Sequence, residues 1–148
     1  MRIASSPVYL DASALVKLYV EEPESAALER ALVGRRDVLV SELAITEVVS
    51  ALARRVRVHD LSARDAGRVH RRILADRDQG EFRHIDLSPA LHRAAERLLL
   101  QGGGVVPLRG ADALHLALAA SVPAEAFVTY DRQLHEAALR MATFDVHG

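Results

Sequence analysis

The chain has 148 residues, 50% of them hydrophobic and 26% charged, with a formal net charge of -1; this is the size and composition of one compact domain with its own core, not of a disordered segment. It contains no cysteine, which excludes disulfide scaffolds and thiolate metal sites. No stretch reaches the roughly 18 uninterrupted apolar residues of a membrane span, and Met1 to Pro7 lacks the apolar core of a signal peptide, so a soluble, cytoplasmic protein is expected.

In chain order, Val8 to Asp11 reads as a short apolar strand. Ser13 to Tyr19 has helix-compatible spacing that Pro23 interrupts. Glu24 to Val33 predicts a second helix, stopped by Gly34. Val38 to Ser41 is a buried-looking strand, and Glu42 to about Val58 a helix with Leu43, Val48, Val49 and Leu52 as apolar positions. Another helix is expected from Ser62 to about Asp76.

Phe82 to Leu87 predicts a strand. Ser88-Pro89 then opens a helix, with Ser as N-cap and Pro at its first position, which the glycines at 102 to 104 end. Arg109 to Ser121 reads as helix, Ala126 to Tyr130 as strand, Arg132 to Leu139 as helix and Thr143 to Val146 as a last strand. This alternation predicts an α/β fold: a central parallel sheet of four to five short strands with helices on both faces, in one domain over residues 1–148. Ligands of such sheets bind beyond the carboxyl ends of the strands, where strand order reverses.

Four acids fall where that rule points. Asp11 ends the run Val8-Tyr9-Leu10, and Asp131 follows Val128-Thr129-Tyr130. Glu47 borders the apolar stripe of its helix, and Asp112 sits in the first turn of a helix carrying Ala111, Leu114, Leu116 and Leu118. Taken singly, each has an ordinary structural reading as a cap, a first-turn acid or a surface residue. Together they can share one cleft, where crowded carboxylates must take up protons or a cation. With no Cys, and with His59, His70, His84, His92, His135 and His147 lacking ligand spacing, the expected site is all-oxygen. That donor set suits Mg²⁺ or Mn²⁺ and hydrolysis of a phosphodiester.

The charge is also segregated. Between Arg54 and Arg72 lie seven arginines against Asp60 and Asp65, while Glu21, Glu22, Glu24 and Glu29 form an acidic stretch. The basic stretch is a candidate surface for RNA or a partner, or equally a solvated helix in an arginine-rich sequence.

These residues resemble a known family. Val8-Tyr9-Leu10-Asp11-Ala12-Ser13 looks like the opening Asp-x-Ser motif of PIN domains, and Ser41-Glu42-Leu43-Ala44-Ile45-Thr46-Glu47-Val48 is similar to their second acidic motif. Arg109-Gly110-Ala111-Asp112-Ala113-Leu114-His115 looks like the third, and Phe127-Val128-Thr129-Tyr130-Asp131 like the fourth. All four stand in order across nearly the whole chain. The resemblance, to the VapC toxins of VapBC toxin–antitoxin pairs, implies a PIN-like fold and metal-dependent endoribonuclease activity with Mg²⁺ or Mn²⁺. It also implies an RNA substrate, a homodimer and inhibition by a VapB-type antitoxin.

Residue by residue, the resemblance carries metal binding and catalysis onto Asp11, Glu47, Asp112 and Asp131. It makes Ser13 and Thr129 hydroxyl partners of the acids. Arg109 resembles a position that holds an acid or touches the scissile phosphate, or is a plain helix-start arginine; His115 reads as a packing or second-layer residue. The lead before the first strand, a few residues longer than in the shortest members, is either a start-site choice or an added edge segment.

Three other readings stand beside this one. A phosphoacceptor enzyme of doubly wound fold generally needs a lysine near the later strands, and the only lysine is Lys17. A catalytically silent PIN binding module would be expected to lack some of the acids. A PIN ribonuclease acting in RNA processing outside a toxin pair has the same site, and the neighbouring gene discriminates it.

Overall fold

Short aliphatic runs, rich in β-branched residues that suit a pleated buried surface, form the parallel strands of a computed structural model, which describes residues 1–102, 107–141 and 143–148. The elements are β1 (Val8–Leu10), α1 (Ala12–Val16), α2 (Ser25–Leu32), β2 (Val38–Ser41), α3 (Glu42–Arg57), α4 (Ala63–Gln79) and β3 (Arg83–Ile85). They continue with α5 (Pro89–Gly102), α6 (Gly110–Ser121), β4 (Ala126–Val128), α7 (Arg132–Met141) and β5 (Asp145–His147). All pairings are parallel, in the order β3-β2-β1-β4-β5.

Alternation along the strands divides the core in two. Val8, Leu10, Val38, Val40, Ala126 and Val128 point to one face, where Leu15, Leu28, Val48, Leu52 and Ile73 from α1 to α4 cover them. Tyr9, Leu39 and Phe127 point to the other, under Leu91, Leu116, Leu118 and Leu134 from α5 to α7. Each fully buried side chain of this size contributes roughly 1.5–3 kcal/mol. The chain leaves β1 toward β2 and β3, then returns to the far side of β1 as β4. The strand order therefore reverses at β1, and the carboxyl ends of β1 and β4 lie side by side.

Local chemistry sets the boundaries. Ser41 and Ser62 cap α3 and α4, accepting the N–H of Ala44 and Asp65 at 3.1 and 3.0 Å. Gly80 ends α4 in the left-handed conformation, φ 74°. His59 takes the same left-handed role after α3, at φ 59°. There the N–H of Asp60 closes on the carbonyl of Arg55 at 2.9 Å.

The helix expected over Ser13 to Tyr19 is shorter than its spacing suggests. It ends at Val16 because Lys17, buried, turns to Glu22 and Glu24 at 2.9 and 2.7 Å. The last strand lies at Asp145–His147 rather than Thr143 to Val146, its register fixed by the Asp145 N–H on Glu125 and the Thr129 N–H on His147. Helix α5 runs to Gly102; the expected stop at Gly103 and Gly104 falls outside the described residues.

The N-terminal lead is a packed segment. Ile3 is buried in the first core. Arg35 donates to the carbonyls of Ile3 and Ser5 at 2.8 and 2.9 Å while forking onto Asp37. Among the described residues, no helix is long and apolar enough to cross a membrane.

Candidate active site

The sheet's topology brings the four predicted acids to one place. Asp11 leaves β1, Asp131 follows β4 by way of Thr129 and Tyr130, Glu47 is one turn into α3, and Asp112 lies in the first turn of α6. All four line one cleft of roughly 640 Å³, together with Ser13, Arg54, Arg57, Arg109 and His115.

Asp11 is the most constrained. Its carboxylate caps α1 through the Ala14 N–H at 2.9 Å and accepts the hydroxyls of Ser13 and Thr129, each at 2.7 Å. Those hydroxyls do double duty: Ser13 Oγ accepts the Tyr130 N–H at 2.8 Å and Thr129 Oγ1 the Asp131 N–H at 3.1 Å. The two predicted supporting residues thus stitch β1 to β4 at the floor of the cleft. Burial nevertheless pushes the Asp11 carboxyl above its ordinary value, outweighing the Thr129 and Ser13 hydrogen bonds that favour the anion. A buried carboxyl so placed gains by acquiring either a proton or a cation.

Asp112, 4% exposed, accepts the backbone N–H and the Nε–H of Arg109 at 3.1 and 3.2 Å. Asp131 caps α7 through the Leu134 N–H at 3.0 Å, and its other oxygen takes the Arg109 guanidinium, also at 3.0 Å. Arg109 is therefore more than a helix-start residue, since its guanidinium bridges two of the acids, which raise its pKa, Asp112 foremost. Glu47 is half-buried and hydrogen-bonded to the Nε2 of buried His115. His115 Nδ1 lies 2.7 Å from the hydroxyl of Tyr9, whose pKa burial lifts far above its ordinary value.

The basic stretch divides. Arg54 and Arg57, one and two turns beyond Ser50 on α3, face the cleft. Arg55, Arg68 and Arg72 instead pair with Asp60, Asp65 and Asp76. Sequence could not separate these, because which arginines reach the cleft depends on how α3 and α4 face it after folding.

A second gathering of ligand-type atoms, Glu42, His84 and Asp86, lies within 4.8 Å at the carboxyl end of β3. Glu42 meets one ring nitrogen of His84, Asp86 approaches the other at 3.5 Å, and Arg77 comes within 3.9 Å of Glu42. These groups lie at the carboxyl end of β3 and do not line the cleft that holds Asp11, Glu47, Asp112 and Asp131.

The PIN domain profile matches residues 8–139, and the chain belongs to that family. Within it, Ribonuclease VapC46 of Mycobacterium tuberculosis is 42% identical over 135 residues, covering 88% of this chain and 89% of that protein. Ribonuclease VapC45 of the same species is 36% identical over 137 residues, 88% of each.

Solved structures share the fold. M. tuberculosis VapC20, described as a toxin that cleaves the sarcin-ricin loop, superposes with a TM-score of 0.70 at 17% identity, over 88% of this chain and 94% of that one. VapBC2 of Rickettsia felis, bound to a promoter DNA fragment, gives 0.63 at 15% identity, over 94% and 96%.

Proposed function

We propose that the chain is a single PIN domain acting as a metal-dependent endoribonuclease, the toxin of a type II pair held inactive by a VapB-type antitoxin. The observation that carries this reading is the convergence of Asp11, Glu47, Asp112 and Asp131 in one cleft of a chain whose VapC ribonuclease relatives align over 88% of its length.

The donor set fits a hard divalent cation: all ligand atoms are carboxylate oxygens, and the most deeply held of them, on Asp11, is raised in pKa by its burial. Asp11, Glu47, Asp112 and Asp131 would hold Mg²⁺ or Mn²⁺. When bound, such an ion supplies a more acidic water and stabilises charge on a phosphodiester.

The chain's own residues do the rest. Ser13 and Thr129 fix the Asp11 carboxylate, so no rotor needs ordering when the site fills. Arg109, tethered to Asp112 and Asp131, stands where it can release one acid and take a phosphate oxygen. Arg54 and Arg57 extend positive charge along α3 for the RNA backbone, with bidentate geometry suited to phosphate. Aromatic residues are only 4% of the chain, so recognition rests on phosphate and shape more than on base stacking. Homodimerisation follows from the family resemblance and is checked by sedimentation.

The test is cleavage of total cellular RNA by the purified chain, freed of antitoxin, with Mg²⁺, with Mn²⁺ and with chelator, beside Asp11→Asn. Discrete fragments that require metal and vanish in the variant are expected. Folded, metal-supplied protein that leaves every RNA intact would overturn the hydrolase reading.

A further inference from the structure

Beneath Glu47, a single file of polar groups runs down into an otherwise apolar layer. Glu47 Oε1 meets His115 Nε2, His115 Nδ1 lies 2.7 Å from Tyr9 Oη, and Tyr9 Oη lies 3.2 Å from Ser41 Oγ. Ser41 Oγ in turn accepts the Ala44 N–H at 3.1 Å. Tyr9 and Ser41 are fully buried and His115 is 2% exposed, so water offers these groups no alternative partner. The four side chains come from β1, the end of β2, α3 and α6.

The file anchors the imidazole from below. Ser41 Oγ accepts the Ala44 N–H and the Tyr9 hydroxyl, which fixes the Tyr9 ring, and the same Tyr9 oxygen lies 2.7 Å from His115 Nδ1. His115 is thus held through Nδ1 on its buried side while Nε2 meets Glu47 on the cleft side. Swinging the ring away would leave polar atoms without partners in a buried layer, an arrangement that folded proteins avoid.

We propose that His115 is a positioning residue for Glu47. Its ring, anchored on the Tyr9 hydroxyl through Nδ1, engages one Glu47 carboxylate oxygen through Nε2 and holds the other toward the cleft. This rests on the reading of Glu47 as a metal ligand. It explains why a flexible, half-exposed glutamate can serve in a site whose other members are shorter aspartates: the buried file removes its rotational freedom before any ion arrives. Support of this kind around metal ligands commonly changes metal affinity by about 10–100-fold.

The experiment measures Mn²⁺ affinity of the purified chain by calorimetry, for wild type, Glu47→Gln, His115→Gln, His115→Asn and Tyr9→Phe, each checked for folding by thermal melting. Glutamine places its amide nitrogen about where Nε2 lies, whereas asparagine reaches only as far as Nδ1. Glu47→Gln and His115→Asn should each weaken binding about tenfold or more, while His115→Gln stays near wild type. Tyr9→Phe, which removes the buried anchor of the ring without touching the cleft, should fall between them. A histidine that merely fills space would leave the two amide variants alike.

Equal affinities for wild type, His115→Asn and Tyr9→Phe, with Glu47→Gln weakened, would overturn the role of His115 and leave Glu47 a ligand. Unchanged affinity in Glu47→Gln would overturn both. If His115→Asn does not fold, Tyr9→Phe decides: wild-type affinity there overturns the proposal.

Discussion

Asp11 is held by two hydroxyls and a backbone N–H, yet burial still raises its pKa. Asp11→Asn removes a buried charge while keeping an acceptor, so the fold should survive with its melting temperature unchanged or raised. On the proposed metal-dependent mechanism, RNA cleavage should fall by orders of magnitude, since a bound cation would lose a ligand. Circular dichroism beside a cleavage assay checks both; an unfolded variant would argue against a purely catalytic role. Thr129 behaves differently. Its hydroxyl serves Asp11 and the Asp131 N–H at once, so Thr129→Val leaves a buried acceptor and a donor short of partners. A loss of about 1–3 kcal/mol is expected in denaturant unfolding.

The elements carry stability through their ends. His59 occupies a left-handed position after α3 that glycine adopts without strain. His59→Gly should stabilise the chain by roughly 0.5 kcal/mol, read as a higher urea midpoint; a lower midpoint would mean that the side chain has a role not visible in its contacts. At the start of β2, the Arg35 guanidinium holds the Asp37 carboxyl below the ordinary carboxylate range. A depressed folded-state pKa adds stability above the unfolded value, about 3.9, and that stability is lost as pH falls through the folded value. The stability difference between wild type and Arg35→Met should therefore be largest near neutrality and shrink in acid. Equilibrium unfolding at several pH values measures it.

Sequence periodicity made the strand cores and the long helices legible at this scale, because Val8-Tyr9-Leu10 and Val38-Leu39-Val40 leave little choice about burial. It misplaced the end of α1 and the register of β5. Those boundaries depend on Lys17 finding Glu22 and Glu24, and on Asp145 finding Glu125, and no local pattern encodes such partners. The four acids were legible through motif order and strand-end position. Tyr9 as the partner of His115, with Ser41 behind it, was not, since three residues from three separate elements meet only after folding.

For the molecule as a whole, charge is local rather than global. A net charge of -1 coexists with a cleft that pairs acids at its floor with Arg54, Arg57 and Arg109 around it. Reversing Arg54 and Arg57 to glutamate should raise the KM for RNA by about tenfold at low ionic strength, with the difference narrowing as salt is added. A KM that does not respond would move RNA binding off α3.

The pairing of β1 with β4 links residues more than a hundred positions apart, and it sets a timetable. Asp11 emerges early in translation, but the Thr129 that fixes it and the Asp131 that completes its cleft emerge near the end. Parallel pairing across such a span is slow and cannot begin until both strands exist. A nascent or prematurely terminated chain therefore has no assembled acid cluster, whatever its first half has folded into. For a chain that cuts RNA, synthesis itself is a safety interval: the messenger and ribosome producing it are beyond its reach until the last segments are free.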